Sequence, residues 1–216
     1  MTDALFERHL QFITQSFTPM PDKPEETPES ILRALWWLAT GENRSTVKAM
    51  QDSLPLLDDT QILKLEQDIN DWKSSKPVAY ITERQHFFGL ELIVNQQALI
   101  PRKETEILAQ AVLDKLQGLN TEAVPPIKII DVCTGCGNLA LLVAKEIVAK
   151  TLASKAITEA TVFGADLSEN AVALAQENAH QLGLEQKVSF LAGDLLQPFD
   201  NPAFRNNVAI LICNPP

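Results

Sequence analysis

The segment from Asp131 to Gly137 has residue types and spacing that suit the binding of a ligand. It reads Asp-Val-Cys-Thr-Gly-Cys-Gly and lies between an apolar stretch and the start of a predicted helix. Glycine lets the backbone approach a ligand closely, and a helix N-terminus favours an anionic group such as a carboxylate. The segment therefore predicts a site for a nucleotide-like ligand.

A second candidate is Asp166, which ends the next strand-like stretch, Val162-Phe-Gly-Ala-Asp166. In doubly wound folds, an acidic residue at this point accepts hydrogen bonds from the ribose hydroxyls of a cofactor. The alternative is that Asp166 caps the helix predicted to start at Ser168. Together the two signals favour an adenosine-containing ligand, but they do not separate a nicotinamide dinucleotide from S-adenosylmethionine.

The sequence Asn214-Pro215-Pro216 follows a third apolar stretch and separates these two ligands. Proline fixes the backbone and has no N–H, so carbonyl acceptors are presented at this position. An oxygen of Asn214 and the carbonyl of Pro215 can together hold the two N–H groups of a planar –NH₂. This pattern favours a methyltransferase that uses S-adenosylmethionine, and the alternative is a turn that only ends the strand.

The pair Cys133-x-x-Cys136 allows a different interpretation. A C-x-x-C pair between a strand and a helix is also typical of thioredoxin-like redox sites. Redox catalysis would leave Asp166 and Asn214 unexplained, and His86 and His180 have no recognisable spacing for a metal site. Oxidation of the pair, if the two thiols approach, would tighten the loop and block the cofactor.

The elements that must position these residues alternate between helix and strand. The pattern predicts a helix over about 103–116, strand 127–132, a helix from about Asn138, strand 162–166, helix 168–182, strand 188–191 and strand 208–213. Such alternation predicts a doubly wound α/β domain with a parallel sheet and helices on both faces. In contrast, Phe87 to Val94 has strand composition interrupted by Gly89, which predicts a hairpin or a bulge.

The first 75 or so residues are predicted to form helices joined by short turns. Thr27-Pro28 is typical of a helix start, and Gly41 of its end. Another helix is predicted to start near Asp59, with an apolar stripe that includes Leu65 and Ile69. Both stripes are expected to form a helical core.

Composition excludes several classes of function. The 216 residues contain three cysteines, which is not a disulfide framework. No apolar run approaches the roughly 20 residues that span a bilayer, and the charged N-terminus is unlike a signal peptide. We therefore expect a soluble, cytoplasmic protein. The net charge of -10 is unfavourable for binding nucleic acid directly.

Four segments together carry a resemblance to a known family. They are Pro77-Val-Ala-Tyr80-Ile-Thr, Phe87-x-Gly89-Leu90, Leu99-Ile-Pro101-Arg102-x-Glu104-Thr105-Glu106 and Asn214-Pro215-Pro216. The sequence resembles the bacterial N5-glutamine methyltransferases over nearly its whole length, and most of all the members that act on release factors. Asn-Pro-Pro alone is shared with DNA adenine methyltransferases.

The resemblance implies a Rossmann-like methyltransferase domain over 103–216. It also implies a helical substrate-recognition domain over 1–75 and a linker with a β-hairpin over 76–102. The implied substrate is the glutamine of the Gly-Gly-Gln motif in class 1 peptide chain release factors, and a monomer is expected. The implied cofactor contacts are Cys133, Thr134, Gly135, Cys136, Gly137, Asp166, Leu195 and Asn214. Catalysis is assigned to Asn214 and Pro215, and substrate binding to Asn214, Pro215 and Pro216.

The sequence departs from the family's pattern at four points. Cys133 and Glu83 stand where glycine is common, and Lys103 where proline is common. The family continues after Asn-Pro-Pro with an aromatic residue and further strands, whereas this sequence ends at Pro216. The last strand would then be an apolar sheet edge, which natural folds avoid. We therefore expect a truncated chain whose sheet lacks its C-terminal strands.

The implied reaction is displacement at the methyl group of S-adenosylmethionine by the glutamine nitrogen, with no evident general base. Two alternatives remain open. A DNA adenine methyltransferase would need base flipping and a basic groove, which the acidic balance disfavours. An inactive binding module would hold the release factor or the cofactor without turnover.

Overall fold

The computed structural model describes residues 2–117, 127–154 and 160–215. The chain forms two compact units, Met1–Gln96 and Gln97–Pro216. Among the described residues, none of the helices has the length and apolar character that a membrane span requires.

The first unit contains five helices and one hairpin among its described residues. They are α1 (Thr2–Ser16), α2 (Pro28–Ala39), α3 (Thr46–Ala49), α4 (Asp59–Lys73), α5 (Val78–Thr82), β1 (Arg84–Phe87) and β2 (Leu90–Ile93). The predicted starts of α2 and α4 are confirmed by their caps. Thr27 accepts a hydrogen bond from the Ser30 N–H, and Asp58 accepts one from the Gln61 N–H. Each forms a capping box, which satisfies N–H groups that the first turn leaves unpaired.

Apolar side chains from α1, α2, α4 and α5 form the core of this unit. Trp36 is fully buried, packs against Phe6 at 5.8 Å between ring centroids, and donates its indole N–H to the Pro55 carbonyl at 2.9 Å. Leu65 and Ile69 of α4 join the same cluster, as the apolar stripe predicts.

The hairpin belongs to the helical unit and not to a separate linker. β1 pairs antiparallel with β2, and Phe88 and Gly89 form the turn with positive φ angles of 46° and 79°. Two successive positive φ angles are typical of the tight turns that join short strands. The Glu91 carboxylate accepts hydrogen bonds from the N–H and hydroxyl of Ser45, both at 2.6 Å. The boundary therefore falls after Gln96, and the hairpin predicted for the linker packs with the helices.

The second unit contains a parallel sheet. Its elements are α6 (Thr105–Gln117), β3 (Lys128–Val132), α7 (Asn138–Ser154), β4 (Thr161–Asp166), α8 (Glu169–Gln181), β5 (Val188–Ala192), a short 3₁₀ helix (Gln197–Phe199) and β6 (Val208–Cys213). The strand order is β5-β4-β3-β6, with every neighbouring pair parallel. The predicted α/β class is confirmed. Only the start of α6 differs by two residues, because Lys103 and Glu104 lie in a turn before the helix.

The two faces of this sheet are covered differently. α7 and α8 pack on β3, β4 and β5, and α6 packs on α7. Phe163 and Ala165 of β4 alternate with Gly164, so they lie on the other face. There they cluster with Phe199 and Phe204 from the segment after β5. On the described part of the chain, this second face is therefore covered by an aromatic cluster, whereas the alternation predicted helices on both faces of the sheet.

Candidate active site

The described residues of the predicted site lie at the carboxyl ends of the parallel strands, at one edge of the sheet. The chain runs outward from β3 through β4 to β5, and then returns to place β6 on the other side of β3. This reversal is a topological switch point, where ligands bind beyond the carboxyl ends of the strands in open α/β sheets. The loop 133–137 follows β3 and Asn214 follows β6, so the two flank the switch point.

Backbone hydrogen bonds fix the loop after β3. The Thr134 N–H donates to the Ala165 carbonyl at 3.0 Å, and the Gly137 N–H donates to the Thr134 carbonyl at 2.9 Å. The Gly135 N–H donates to Asp166 Oδ2 at 2.9 Å. The predicted pair of signals, the glycine loop and Asp166, is thus physically joined.

Asp166 serves both the loop and the helix that follows it. Its Oδ1 accepts the Ser168 N–H at 3.0 Å, while the Ser168 hydroxyl caps α8 by accepting the Ala171 N–H at 3.3 Å. The cap of α8 is therefore Ser168, and the alternative that Asp166 caps this helix is wrong, since at this helix start Asp166 accepts only the N–H of the cap residue. This hydrogen bond does not exclude ribose binding, because each carboxylate oxygen has a second lone pair for a further hydrogen bond.

The glycines of this region have different roles. A Cβ at Gly137 would lie 2.9 Å from the Phe190 ring, and one at Gly164 would lie 2.4 Å from it. These two glycines are required for packing against Phe190. A Cβ at Gly135 would meet no atom within 4 Å, so the space over this residue is open.

Asp131, at the end of β3, is a buried carboxyl group beneath the loop. Its Oδ2 accepts the Thr134 hydroxyl at 2.6 Å. Its Oδ1 is buried and has no hydrogen-bond partner among the described residues. Burial raises the pKa of Asp131 to about 7, although the Thr134 hydroxyl and the backbone of Ala140 oppose the shift. A cationic ligand group would supply the missing partner.

The three cysteines are free thiols, so the Cys133-x-x-Cys136 pair that allowed the redox interpretation is not bonded in this structure. Cys136 is buried, and burial raises the pKa of its thiol to about 12. Cys133 instead contacts Cys213, which adjoins it across the β3–β6 pair. Burial raises the pKa of Cys133, and the neighbouring Cys213 and Asp166 raise it further. Since thiolates are the reactive form, neither Cys133 nor Cys136 is activated for redox chemistry.

Several polar groups of the loop 133–137 already have hydrogen-bond partners within the protein, so fewer groups are left for a ligand. The Thr134 hydroxyl and N–H are already engaged, and the Cys136 carbonyl accepts the Asn178 side-chain amide at 3.1 Å. Within the described part of the chain, no cluster of three or more potential ligand side chains could hold a metal ion.

Exposed apolar side chains lie at the ends of β4 and β5. Leu167 directly follows Asp166 and is 76% exposed, and Leu195 follows β5 with a positive φ of 46°. The Gly193 N–H donates to the Asp166 carbonyl at 2.9 Å, which holds the Leu195 loop beside β4. These two leucine side chains could pack against an apolar surface of a bound ligand.

Asn214 and Pro215 are exposed at the end of β6. The Asn214 side-chain amide donates to the Thr105 hydroxyl oxygen at 3.3 Å. Pro216, predicted to bind substrate, lies outside the described residues.

The sequence analysis does not predict three features of the site. They are the unpaired oxygen of Asp131, the exposure of Leu167 and the contact between Thr105 and Asn214. The exposure of Leu167 does have a signal in the sequence. An apolar residue that directly follows Asp166 at the end of a strand has its side chain on the opposite side of the chain from the Asp166 side chain. The other two depend on contacts between distant parts of the chain.

Comparisons with known proteins show which family the chain resembles. A family model described as "Methyltransferase domain" matches residues 124–215. The release factor glutamine methyltransferase of Haemophilus influenzae is 32% identical over 211 residues, covering 95% of this chain and 67% of that protein. That of Flavobacterium psychrophilum is 34% identical over 160 residues, covering 74% of this chain and 50% of that protein.

A third relative, from Chlamydia trachomatis, has the same description and is 39% identical over 140 residues, covering 65% of this chain and 41% of that protein. The chain thus spans about half the length of several curated relatives that it matches. Its similarity to the Haemophilus influenzae protein nevertheless extends over almost all of its own sequence. The chain belongs to the release factor glutamine methyltransferase family.

Proposed function

We propose that the protein methylates the side-chain nitrogen of the glutamine in the Gly-Gly-Gln motif of class 1 peptide chain release factors, using S-adenosylmethionine. The observation that carries this proposal is the position of Asn214, across the topological switch point from the glycine loop of β3. The relatives named above are all described as release factor glutamine methyltransferases, which does not favour the DNA adenine alternative.

The residues at the switch point fit the cofactor's charged end. S-adenosylmethionine carries an α-ammonium group and a carboxylate, and it supplies a methyl group bound to a sulfonium. Asp131 has a buried oxygen that lacks a partner among the described residues, and an ammonium group would satisfy it. The open space over Gly135 gives the ligand room at the loop.

The opposite end of the site fits an adenosine. Asp166 retains acceptor capacity for the ribose hydroxyls after its two backbone hydrogen bonds. Leu167 and Leu195 are exposed beside it, and burial of such side chains by the adenine ring would be favourable. The set assigned to the cofactor is therefore the loop 133–137 together with Asp166, Leu195 and Asn214. Within that loop, Cys136 can contribute only its backbone.

Asn214 and Pro215 then act on the substrate by positioning. An amide nitrogen is a weak nucleophile because its lone pair is delocalised into the carbonyl. Acceptance of its two N–H groups by Asn214 Oδ1 and the Pro215 carbonyl would hold the nitrogen with its lone pair facing the methyl group. Glutamate is rejected by the same groups, because a carboxylate has no N–H to donate and would leave both acceptors unpaired.

The helical unit, by this proposal, recognises the release factor, and the second unit performs the transfer. Release factors act in translation termination, so the protein would work in the cytoplasm. We also propose that the chain functions as a monomer, since the residues proposed for cofactor binding and transfer can all come from one copy of the chain.

Mass spectrometry of a release factor tests the proposal directly. The full chain is incubated with S-adenosylmethionine and a class 1 release factor, and the Gly-Gly-Gln peptide is examined for one added methyl group. The matched control is a release factor in which this glutamine is replaced by glutamate. Methylation of the glutamine alone is expected, and an unmodified peptide with a folded enzyme that binds cofactor would contradict the proposal.

A further inference from the structure

Thr105, at the start of α6, contacts the residue to which catalysis is assigned. Its hydroxyl oxygen accepts a hydrogen bond from Asn214 Nδ2 at 3.3 Å, between residues far apart in sequence. The nitrogen of a side-chain amide can only donate, and its oxygen can only accept. In this orientation, Nδ2 faces Thr105 and Oδ1 is directed away from it.

The orientation of the Asn214 amide matters to the proposed reaction. A side-chain amide turned by half a rotation would present its N–H groups to the substrate's own N–H groups, and two donors repel each other. When Oδ1 receives the substrate N–H, the nitrogen Nδ2 needs an acceptor elsewhere, and Thr105 Oγ1 provides it.

Thr105 itself is held in place by the backbone around it. Three successive hydrogen bonds bring the chain into α6, from the N–H groups of Thr105, Glu106 and Ile107 to the carbonyls three residues earlier, at 3.0 to 3.1 Å. Lys103 and Glu106 form an ion pair of 2.7 Å across the same turn. The buried face of α6 packs on α7, which fixes the helix within the second unit. The hydroxyl is therefore presented by a rigid element and not by a free loop.

We infer that Thr105 is a positioning residue, which holds the Asn214 amide with its oxygen toward the substrate glutamine. The inference rests on the proposed function for its catalytic consequence. The resemblance to the family assigns no role to the Arg102-x-Glu104-Thr105-Glu106 segment, and the inference gives a physical role to its threonine.

The test compares Thr105→Val, which keeps the side-chain shape and removes the oxygen, with Thr105→Ser, which keeps the oxygen. In the full chain, Thr105→Val should lower kcat by about three- to tenfold, which is the range for one lost hydrogen bond. Its affinity for S-adenosylmethionine should fall much less than kcat, because most of the proposed cofactor contacts lie on the loop 133–137 and Asp166. Thr105→Ser should recover most of kcat. Thr161→Val at the start of β4 is the matched control for loss of a threonine hydroxyl within the same unit.

Two further measurements separate positioning from a structural role. Combined with Asn214→Ala, the Thr105→Val change should cause no further loss, since the group it positions is gone. In NMR spectra, the Asn214 side-chain amide signals, assigned by their absence in Asn214→Ala, should shift in Thr105→Val and stay in place in Thr105→Ser.

Unchanged amide signals in Thr105→Val, or equal losses of kcat in the valine and serine variants, would overturn the inference. The same holds if Thr105→Val lowers kcat equally with and without Asn214. If the wild-type chain methylates no release factor, the proposed function fails, but the NMR comparison still decides whether Thr105 orients Asn214.

Discussion

Buried carboxyl groups occur in both units of the molecule, but their partners differ. In the helical unit, Glu26 is paired with Lys23 at 3.3 Å, and Asp68 is paired with Lys64 one helical turn away. Burial raises the pKa of both carboxyls, and the lysines lower it. In the sheet unit, Asp131 has a hydroxyl from Thr134, and the described residues supply no cation to it.

This difference separates carboxyls that the fold pairs with a lysine from one that lies at the proposed cofactor site. A buried charge without a counterion is costly, and a stable fold normally supplies the partner or neutralises the group. In the helical unit, Glu26 and Asp68 each have a lysine counterion, although Asp68 Oδ2 accepts no hydrogen bond from the described residues. In the sheet unit, Asp131 must be neutralised by a proton or paired with a ligand. Asp131 lies at the edge of the sheet where the cofactor is proposed to bind. Changes in the two units should therefore affect different measurements.

The largest expected effect is on the stability of the helical unit. Trp36→Ala removes a fully buried ring and leaves a cavity among Phe6 and its neighbours. We expect the free energy of unfolding to fall by about 3–5 kcal/mol, as for other buried aromatic residues. Chemical denaturation followed by circular dichroism measures this. Leu63→Ala, at a site that is 67% exposed on α4, is the control and should change stability by less than about 0.5 kcal/mol.

The affinity for S-adenosylmethionine provides the other half of this comparison. All the proposed cofactor residues lie in the sheet unit, so the affinity of folded Trp36→Ala protein should equal that of the wild type. A large loss of affinity below the unfolding transition would show that the helical unit contributes to cofactor binding.

The opposite behaviour is expected for Asn214. Because its side chain is exposed, Asn214→Ala should change the free energy of unfolding by less than about 0.5 kcal/mol. The rate of methyl transfer should fall by about a hundredfold, or about 3 kcal/mol, if Oδ1 holds the glutamine. Single-turnover kinetics measures the rate, and Asn170→Ala on the exposed side of α8 is the matched control. Transfer at the wild-type rate would leave Asn-Pro-Pro as a turn that only ends the strand.

The pH dependence of stability tests the buried carboxyl group. The pKa of Asp131 is raised from 3.8 to about 7 in the folded protein, so the folded state binds a proton more tightly than the unfolded state. This contribution to stability is fully present below about pH 4 and is lost as the pH rises through about 7. Between pH 5 and 8, the wild type should therefore lose about 2–3 kcal/mol relative to Asp131→Asn.

Denaturation of the sheet unit at these two pH values measures the difference. Repeating it with saturating S-adenosylmethionine sharpens the test, because an ammonium partner would keep Asp131 ionised and reduce the loss. Equal pH dependence in the wild type and Asp131→Asn would show that this carboxyl is ionised in both states.

Local signals were enough to predict most elements in both units. Thr27 and Asp58 cap α2 and α4 as their side-chain chemistry requires, and Ser168 does the same for α8. The apolar runs of β3 and β4 predict buried strands, and both are found within one residue of the expected bounds. These features depend on neighbours in sequence, so the sequence contains them directly.

The geometry of the site could be predicted only in part. The carboxyl ends of parallel strands lie at one edge of a sheet, so the sequence predicts that Asp166 and Asn214 share this edge. The sequence does not predict the order of the strands. Because β6 lies beside β3, Cys133 contacts Cys213 and not Cys136. The contact of Thr105 with Asn214 likewise depends on where α6 begins relative to β6. Both contacts result from packing between elements that are distant in sequence, and the periodicity of apolar residues does not predict such packing.

The smallest expected effects concern the backbone, and they compare one residue from each unit. Glu83 after α5 and Cys133 after β3 both have left-handed backbones, with φ of 53° and 59°. Both also stand where the family commonly has glycine. For an L-residue this conformation costs roughly 1 kcal/mol, and glycine adopts it without that cost.

Glycine at each position should therefore be stabilising, but with different consequences. The Glu83 side chain is exposed, so Glu83→Gly should raise the free energy of unfolding by up to about 1 kcal/mol and leave cofactor affinity unchanged. Cys133→Gly loses its contact with Cys213, so its gain should be smaller, and cofactor affinity should change if this side chain lines the site. The alanine variants are the decisive controls, because they remove the side chain but keep Cβ. Glu83→Ala and Cys133→Ala should not be stabilising, and a gain as large as that of glycine would mean that charge or side-chain contacts, and not φ, set the effect.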